Sequence, residues 1–213
     1  MVWICAYRDW AKKIYTEVNL KTPCILIQTL KEFKDQSKFF NKNDKIFFIG
    51  WSWIVPGNIV NNYNCICLHP SPLPKYRGGS PLQHQIINGE SSSAVTLFKM
   101  DSGIDTGEIL FQKEFSLLGE LNDIFNQIID LGTQGVLCIL TNNFTPTKQD
   151  ELQSTFFKRR TPDQSEITLK DLKTHSAKNL HNKIRALQDP YPNAFIKCAD
   201  GKKLYLKLSE YEK

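Results

Sequence analysis

Three prolines in five positions, Pro70, Pro72 and Pro74, follow directly on the apolar run at residues 65–68 and the polar residue that ends it, His69. Proline fixes φ and removes a backbone donor, so neither a helix nor a central strand continues through this stretch. The chain must leave a strand at His69 and enter a stiff loop. In α/β proteins, loops leaving strand ends carry the chemistry. The next segment, RGGSP at residues 77–81, combines two glycines that permit close backbone approach to a ligand, a serine able to cap a helix, and a proline suited to its first turn. It predicts a helix to Asn88, a turn at Gly89 and a strand over residues 94–100. A second loop, DSGIDTG at residues 101–107, carries two acids among glycines. His69 and Asp105, one on each loop, are the parts of a general acid/base pair.

The rest of the chain supplies the scaffold. Apolar runs at residues 2–7, 24–29 and 45–50 have the pattern of buried parallel strands. Between them, Trp10, Ile14 and Val18 recur at helical spacing, and residues 30–40 suit a charged surface helix. Alternating strands and helices predict an α/β fold: a doubly wound Rossmann-like sheet with helices on both faces. The turn after the first strand reads YRDWA and lacks the glycine fingerprint of a dinucleotide site. Residues 107–115 read as a further strand and residues 121–140 as a long core helix. Residues 1–150 thus form the main domain. Polar, basic, proline-containing sequence makes 151–165 a linker. Residues 166–213 read as a small appendage: one helix over 170–188, ended by Pro190 and Pro192, and a β-hairpin of residues 194–198 and 204–208 around Asp200-Gly201.

The 213 residues suffice for one sizeable domain and a small appendage. No apolar run is long enough to span a bilayer, and the N-terminus lacks a signal-peptide layout, which together point to the cytoplasm and away from a membrane partner. Cys5, Cys24, Cys65 and Cys67 sit in strand-like runs and read as buried free thiols. Cys65, Cys67 and His69 alternate onto one strand face, yet nothing completes a fourth ligand, so no metal site is expected. His84, His175 and His181 lie on predicted helices and read as structural or solvated. The net charge of +5 is mild and decides nothing about partners.

HPSPLPKYRGGSP followed by a strand and MDSGIDTG resembles the catalytic domain of the folate-dependent formyltransferases. The likeness extends more weakly over residues 1–160. KRRTPDQSEI and KIRALQDPYPNAF resemble the segment after the core in sugar-nucleotide N-formyltransferases. The family places an Asp about thirty-six residues after its His, as Asp105 stands to His69. It places an Asn two residues before the His, where this chain has Cys67. The resemblance implies that His69 and Asp105 are catalytic, with Cys67 at the position of the oxyanion-binding Asn. A thiol donates a weaker hydrogen bond than an amide. The resemblance also implies that 10-formyltetrahydrofolate is the co-substrate, bound along Trp51, Ser52 and Trp53 and along Asp101, Ser102, Gly103 and Ile104. The acceptor would contact Tyr76, Arg77, Gly78 and Gly79. Trp51 and Trp53 taken singly read as core aromatics. As a pair flanking a strand end they also make a wall for a flat ring.

Among family members, methionyl-tRNA formyltransferase carries a full C-terminal barrel, for which the residues after the linker are too few. Glycinamide ribonucleotide transformylase opens with a glycine- and serine-rich phosphate loop that YRDWAKK does not resemble. The hydrolase has an extra regulatory domain. The expected acceptor is therefore the amine of an amino-sugar nucleotide, such as a dTDP-linked amino-dideoxyhexose of O-antigen biosynthesis, with no nucleic acid involved. The alternatives are glycinamide ribonucleotide or methionyl-tRNA as acceptor, or a non-catalytic folate- or nucleotide-binding relative. The apolar hairpin with Phe195, Leu204, Tyr205 and Leu206 is expected to pair two subunits in a homodimer.

Overall fold

The computed structural model describes residues 1–212. Its apolar runs become the strands β1 (Val2–Cys5), β2 (Ile25–Ile27), β3 (Lys45–Ile49) and β4 (Asn64–His69), joined by helices α1 (Asp9–Asn19), α2 (Leu30–Gln36) and α3 (Gly57–Asn62). A two-residue strand β5 (Arg77–Gly78) and helix α4 (Pro81–Ile87) follow the proline loop. Then come β6 (Ser92–Lys99), β7 (Ile109–Ser116) and the long α5 (Leu121–Leu140). The six-stranded sheet has the order β2-β1-β3-β4-β6-β7. Its first four strands are parallel, and β6 and β7 continue it antiparallel. The expected α/β doubly wound architecture is present.

Both faces of the sheet are covered, and side-chain alternation sorts the residues between them. Ile4, Phe47, Ile49, Ile66 and Leu68 pack against Ile14 and Val18 of α1 and against Ile124, Ile128 and Val136 of α5. The opposite face is aromatic: Trp3, Phe48 and Cys65 meet Phe33 of α2, Phe40, and Ile59 and Val60 of α3. Strand order reverses between β1 and β3, so the chain leaves their C-terminal ends in opposite directions. Such a reversal opens a crevice, the usual ligand position in open α/β sheets. Residues following β1, β3 and β4 surround it.

The last third differs from the sequence expectation in two places. The segment expected as a linker pairs as strand β8 (Phe156–Phe157), parallel to β5. The single helix expected over residues 170–188 is two, α6 (Leu169–Thr174) and α7 (Ala177–Ala186). Ser176 breaks the pattern because its hydroxyl caps α7, accepting from the Asn179 amide at 3.2 Å. The hairpin forms as expected from β9 (Ala194–Lys197) and β10 (Lys203–Leu206). The appendage is anchored on the main body: Arg185 of α7 donates to the carbonyls of Leu117 at 2.6 Å and Gly119 at 3.0 Å, and Ala186 joins the main core. Among the described residues no helix is long and apolar enough to cross a membrane.

Candidate active site

His69 ends β4 and is 6% exposed. Its position depends on the proline loop, which bends back over the strand end. Thr96 Oγ1 donates to the Ser71 carbonyl at 2.6 Å and Gln112 Nε2 to the Leu73 carbonyl at 3.0 Å, so β6 and β7 pin the loop. The loop closes at Tyr76, whose carbonyl lies 2.8 Å from His69 Nε2. A backbone carbonyl only accepts, so Nε2 carries the proton in this contact. Nδ1 is then the ring atom free to take up or give a proton, and it faces Asp105 Oδ2 at 3.6 Å. Sequence reasoning paired these two residues, and the fold brings them together.

Asp105 is held in a left-handed backbone conformation, φ +57°. For a residue with a Cβ this costs about 1–3 kcal/mol and persists only where the surroundings enforce it. Three hydrogen bonds do so. The Gly78 amide donates to Oδ2 at 2.8 Å, while the side-chain amide of Gln149 donates to the carbonyls of Asp105 at 2.9 Å and of Gly107 at 2.8 Å. Gln149 carries no signal in the sequence; it lies in the polar stretch after α5.

Cys67 sits two residues before His69 on the same strand face, half-buried beside Asp105. Burial, with the Asp105 carboxylate adding to it, pushes its thiol well above the ordinary value. The group is therefore a neutral thiol, not a thiolate nucleophile. Cys65, next on that face, is buried in the aromatic core. Among the described residues no cluster of three His, Cys, Asp or Glu side chains is placed to hold a metal ion.

Of the two stretches expected at the folate, residues 51–53 follow β3, the strand paired with β4, and residues 101–104 run directly into Asp105. Trp51 packs into the aromatic core against Phe33 and Phe48, whereas Trp53 turns outward and meets Tyr7 at 4.6 Å between ring centroids. Tyr7, unmarked in the sequence reading, donates from its hydroxyl to Ser52 Oγ at 2.7 Å and so ties the loop after β1 to the loop after β3. Asp101 spends its carboxylate on its own loop, accepting from the Gly103 amide at 3.0 Å and Thr106 Oγ1 at 2.6 Å. This Asx-type turn leaves Ser102, Gly103 and Ile104 exposed at the tip.

The residues expected at the acceptor are used differently. Arg77 is 6% exposed, and its fork is occupied by Gln149 Oε1 (Nε 3.1 Å, Nη2 2.8 Å) and the Glu151 carboxylate (2.8 and 2.7 Å). The guanidinium is thus committed within the protein. The Tyr76 ring stacks on Phe157 at 4.9 Å and its hydroxyl donates to Glu90 Oε1 at 2.7 Å. A Cβ built on Gly78 would stand 2.3 Å from the Phe157 carbonyl oxygen, and one on Gly79 2.4 Å from Arg159 Cα. These glycines admit the chain's own returning backbone. Ser80, expected to cap α4, makes no side-chain cap bond and instead accepts from the Arg160 amide at 3.1 Å.

Residues 27–134 match the family model described as Formyl transferase, half of the chain, including β4, both loops and His69 and Asp105. The chain belongs to the formyl transferase family. Among its relatives, methionyl-tRNA formyltransferase from Rickettsia massiliae is 35% identical over 163 residues, 74% of this chain and 52% of that protein. The formyl transferase chain described here therefore spans about half the length of the curated relatives it matches. A solved methionyl-tRNA formyltransferase from Clostridium thermocellum is 29% identical, superposes with a TM-score of 0.82 and matches 96% of each chain. A 4-N formyltransferase from Francisella tularensis, 21% identical, shares the fold at a TM-score of 0.75 over 100% of this chain and 98% of its own.

Proposed function

We propose that this protein transfers the formyl group of 10-formyltetrahydrofolate to a primary amine, with His69 and Asp105 as the proton-handling pair. The observation that carries the reading is the approach of His69 Nδ1 to the Asp105 carboxylate beside the sheet's reversal point. In this reaction the neutral amine attacks the formyl carbon, the bond from that carbon to the folate nitrogen breaks, the amine loses a proton and the departing nitrogen gains one. One ring nitrogen serves both transfers by taking the proton from the amine and passing it to the departing folate nitrogen, and the carboxylate beside it balances the charge of the imidazolium in between. With Nε2 tied to the Tyr76 carbonyl, that nitrogen is Nδ1. The oxyanion of the tetrahedral intermediate falls to backbone amides and the neutral Cys67 thiol, a weaker donor than a side-chain amide.

The folate would lie along the loop after β3 and the exposed tip of the loop after β6. Trp53, Ile54 (95% exposed) and Ile104 (62% exposed) are apolar side chains left open to solvent in these two loops, as expected for surfaces covered by a flat co-substrate.

The acceptor in this reading is a nucleotide-linked amino sugar, supported by the likeness of KRRTPDQSEI and KIRALQDPYPNAF to sugar-nucleotide formyltransferases. A second reading, methionyl-tRNA, is favoured by the 35% identity to the rickettsial enzymes. One assay separates them: release of tetrahydrofolate from 10-formyltetrahydrofolate with dTDP- and UDP-linked amino sugars in one arm and methionyl-tRNA in the other. Transfer to a sugar alone supports the first, to the tRNA alone the second, and transfer to neither overturns the catalytic reading. The homodimer belongs to this proposal too. Leu204 and Tyr205, on opposite faces of β10, are each 56% exposed, and a monomer in light scattering at micromolar concentration removes it.

A further inference from the structure

We propose that Gln149 is a positioning residue for Asp105, holding the backbone of the site's acid in the conformation that points its carboxylate at His69. The kinetic part of this proposal rests on the formyl-transfer reading.

Gln149 touches neither the imidazole nor the carboxylate. It lies 44 residues from Asp105, in the polar stretch between α5 and β8. Every polar group of its side chain has a partner. Nε2 donates one hydrogen to the Asp105 carbonyl at 2.9 Å and the other to the Gly107 carbonyl at 2.8 Å. Oε1 accepts from Arg77 Nε at 3.1 Å and Nη2 at 2.8 Å. This pattern decides which way the amide points. Turned over, it would set its NH2 against a guanidinium and its oxygen against two carbonyls. Arg77 is itself immobilised by Glu151, so Gln149 is anchored on one side and free to anchor on the other.

The strain at Asp105 explains why such an anchor is needed. Its left-handed backbone sits in a loop whose tip, Ser102 to Ile104, is exposed. No packing on that tip enforces the conformation. The carboxylate is fixed by the Gly78 amide and the backbone by Gln149, and both fixings trace to the Arg77-Gly78 pair of β5. Residues that looked like a ligand-facing turn thus act on the chemistry at one remove, through Gln149.

Gln149→Glu separates the two halves of this role. A carboxylate still accepts from Arg77 but has no hydrogen to give to either carbonyl. Gln149→Met keeps the length and removes both. For Gln149→Glu we expect kcat to fall on the order of a hundredfold, with KM for both substrates within about threefold of the parent, because the acid is misplaced while the substrate surfaces are intact. The melting temperature should fall by only the few degrees that two lost hydrogen bonds account for. Amide hydrogen exchange in residues 101–108 and at Gly78 should speed up in both variants. A Gln149→Glu protein with parental kcat and parental exchange overturns the proposal, as does a kcat loss matched by a collapse in melting temperature with unchanged exchange in that loop. If Gln149→Glu does not fold, exchange in Gln149→Met decides. The exchange measurement needs no turnover. A parent protein inactive on every acceptor would sink the formyl-transfer reading and leave Gln149 to be judged by exchange, whereas an active parent with unchanged exchange in both variants would sink Gln149 alone.

Discussion

Residues 77–79 and residues 101–104 are both glycine-bearing segments that adjoin Asp105, and the fold uses them in opposite ways. In the first, Arg77 is buried in a bidentate pair, and Gly78 and Gly79 are pressed against the backbone of residues 156–159. In the second, Asp101 folds the loop onto itself and Ser102, Gly103 and Ile104 stand open to solvent. Composition alone predicts the same for both: small residues, close approach, a ligand. What separates them is the returning chain. Where residues 155–160 come back, glycine makes room for protein; where nothing comes back, the loop stays available. Glycine beside a site therefore marks a close approach without saying what approaches.

The largest effect expected belongs to the residue both loops serve. His69→Ala or His69→Gln should lower formyl transfer about a hundred- to ten-thousandfold with the fold retained, the usual range for losing a general acid/base. A variant within tenfold of the parent in single-turnover assays would remove His69 from the chemistry and both loops from its support.

Gly79→Ala tests the protein-facing loop. The added methyl meets Arg159 backbone, which cannot swing aside, so the variant should lose about 1–3 kcal/mol, as overpacked sites do. Urea denaturation reads this directly, and parental stability would mean that residues 156–159 are not held against the turn. Ile104→Ala is its counterpart on the open loop. Stability should change by less than about 0.5 kcal/mol, as for most exposed positions, while KM for the folate rises. A Gly79→Ala protein with normal stability and weakened folate binding would invert the comparison.

Cys67 lies beside Asp105, and its substitution has a sign to decide. Cys67→Asn should keep or raise kcat, since an amide donates a stronger hydrogen bond than a neutral thiol. Reduced kcat would mean that the site is built around the smaller sulfur, with overpacking outweighing the better donor. Cys67→Ala is the control: parental activity there would leave the oxyanion to the backbone and His69.

The smallest effect is a pH slope localised to the closed loop. His84 of α4 packs against Phe157 with the rings tilted and their centroids 4.8 Å apart, and its Nε2 donates to the Lys158 carbonyl at 3.0 Å. Burial lowers its pKa from the ordinary value near 6.5; the Lys158 carbonyl opposes that shift and Arg160 adds to it. A histidine that binds its proton less readily folded than unfolded stabilises the fold above the unfolded pKa, and that contribution is lost as pH falls through the folded value. Stability should therefore decline on acidification below about pH 6.5, and His84→Gln should flatten part of that decline. Parallel denaturation curves at pH 7.5 and 5.5 for parent and variant test it; identical slopes would show that the returning segment leaves His84 unperturbed.

Local pattern was sufficient for the scaffold. Runs such as VWICAY and KIFFIG are buried on both sides of a sheet, and burial on both sides leaves an apolar run in the sequence. The prolines after His69 force a loop whatever the surroundings. The Ser176 cap that splits the C-terminal helix is also local, and a serine within a helical pattern is the signal for the break. The pairing of His69 with Asp105 was legible through the resemblance to the formyltransferases, whose His–Asp spacing this chain shares. What local pattern could not supply was the path by which distant segments return. Gln149 reaching Asp105 across 44 residues, Arg77 meeting Glu151 across 74, and Phe156–Phe157 pairing with the glycine turn leave no periodicity, because each depends on where α5 delivers the chain. Side-chain identity determined which groups could do chemistry here. Tertiary packing decided which are committed to protein partners and which are left open, because a hydrogen bond already satisfied within the fold is no longer offered to a ligand.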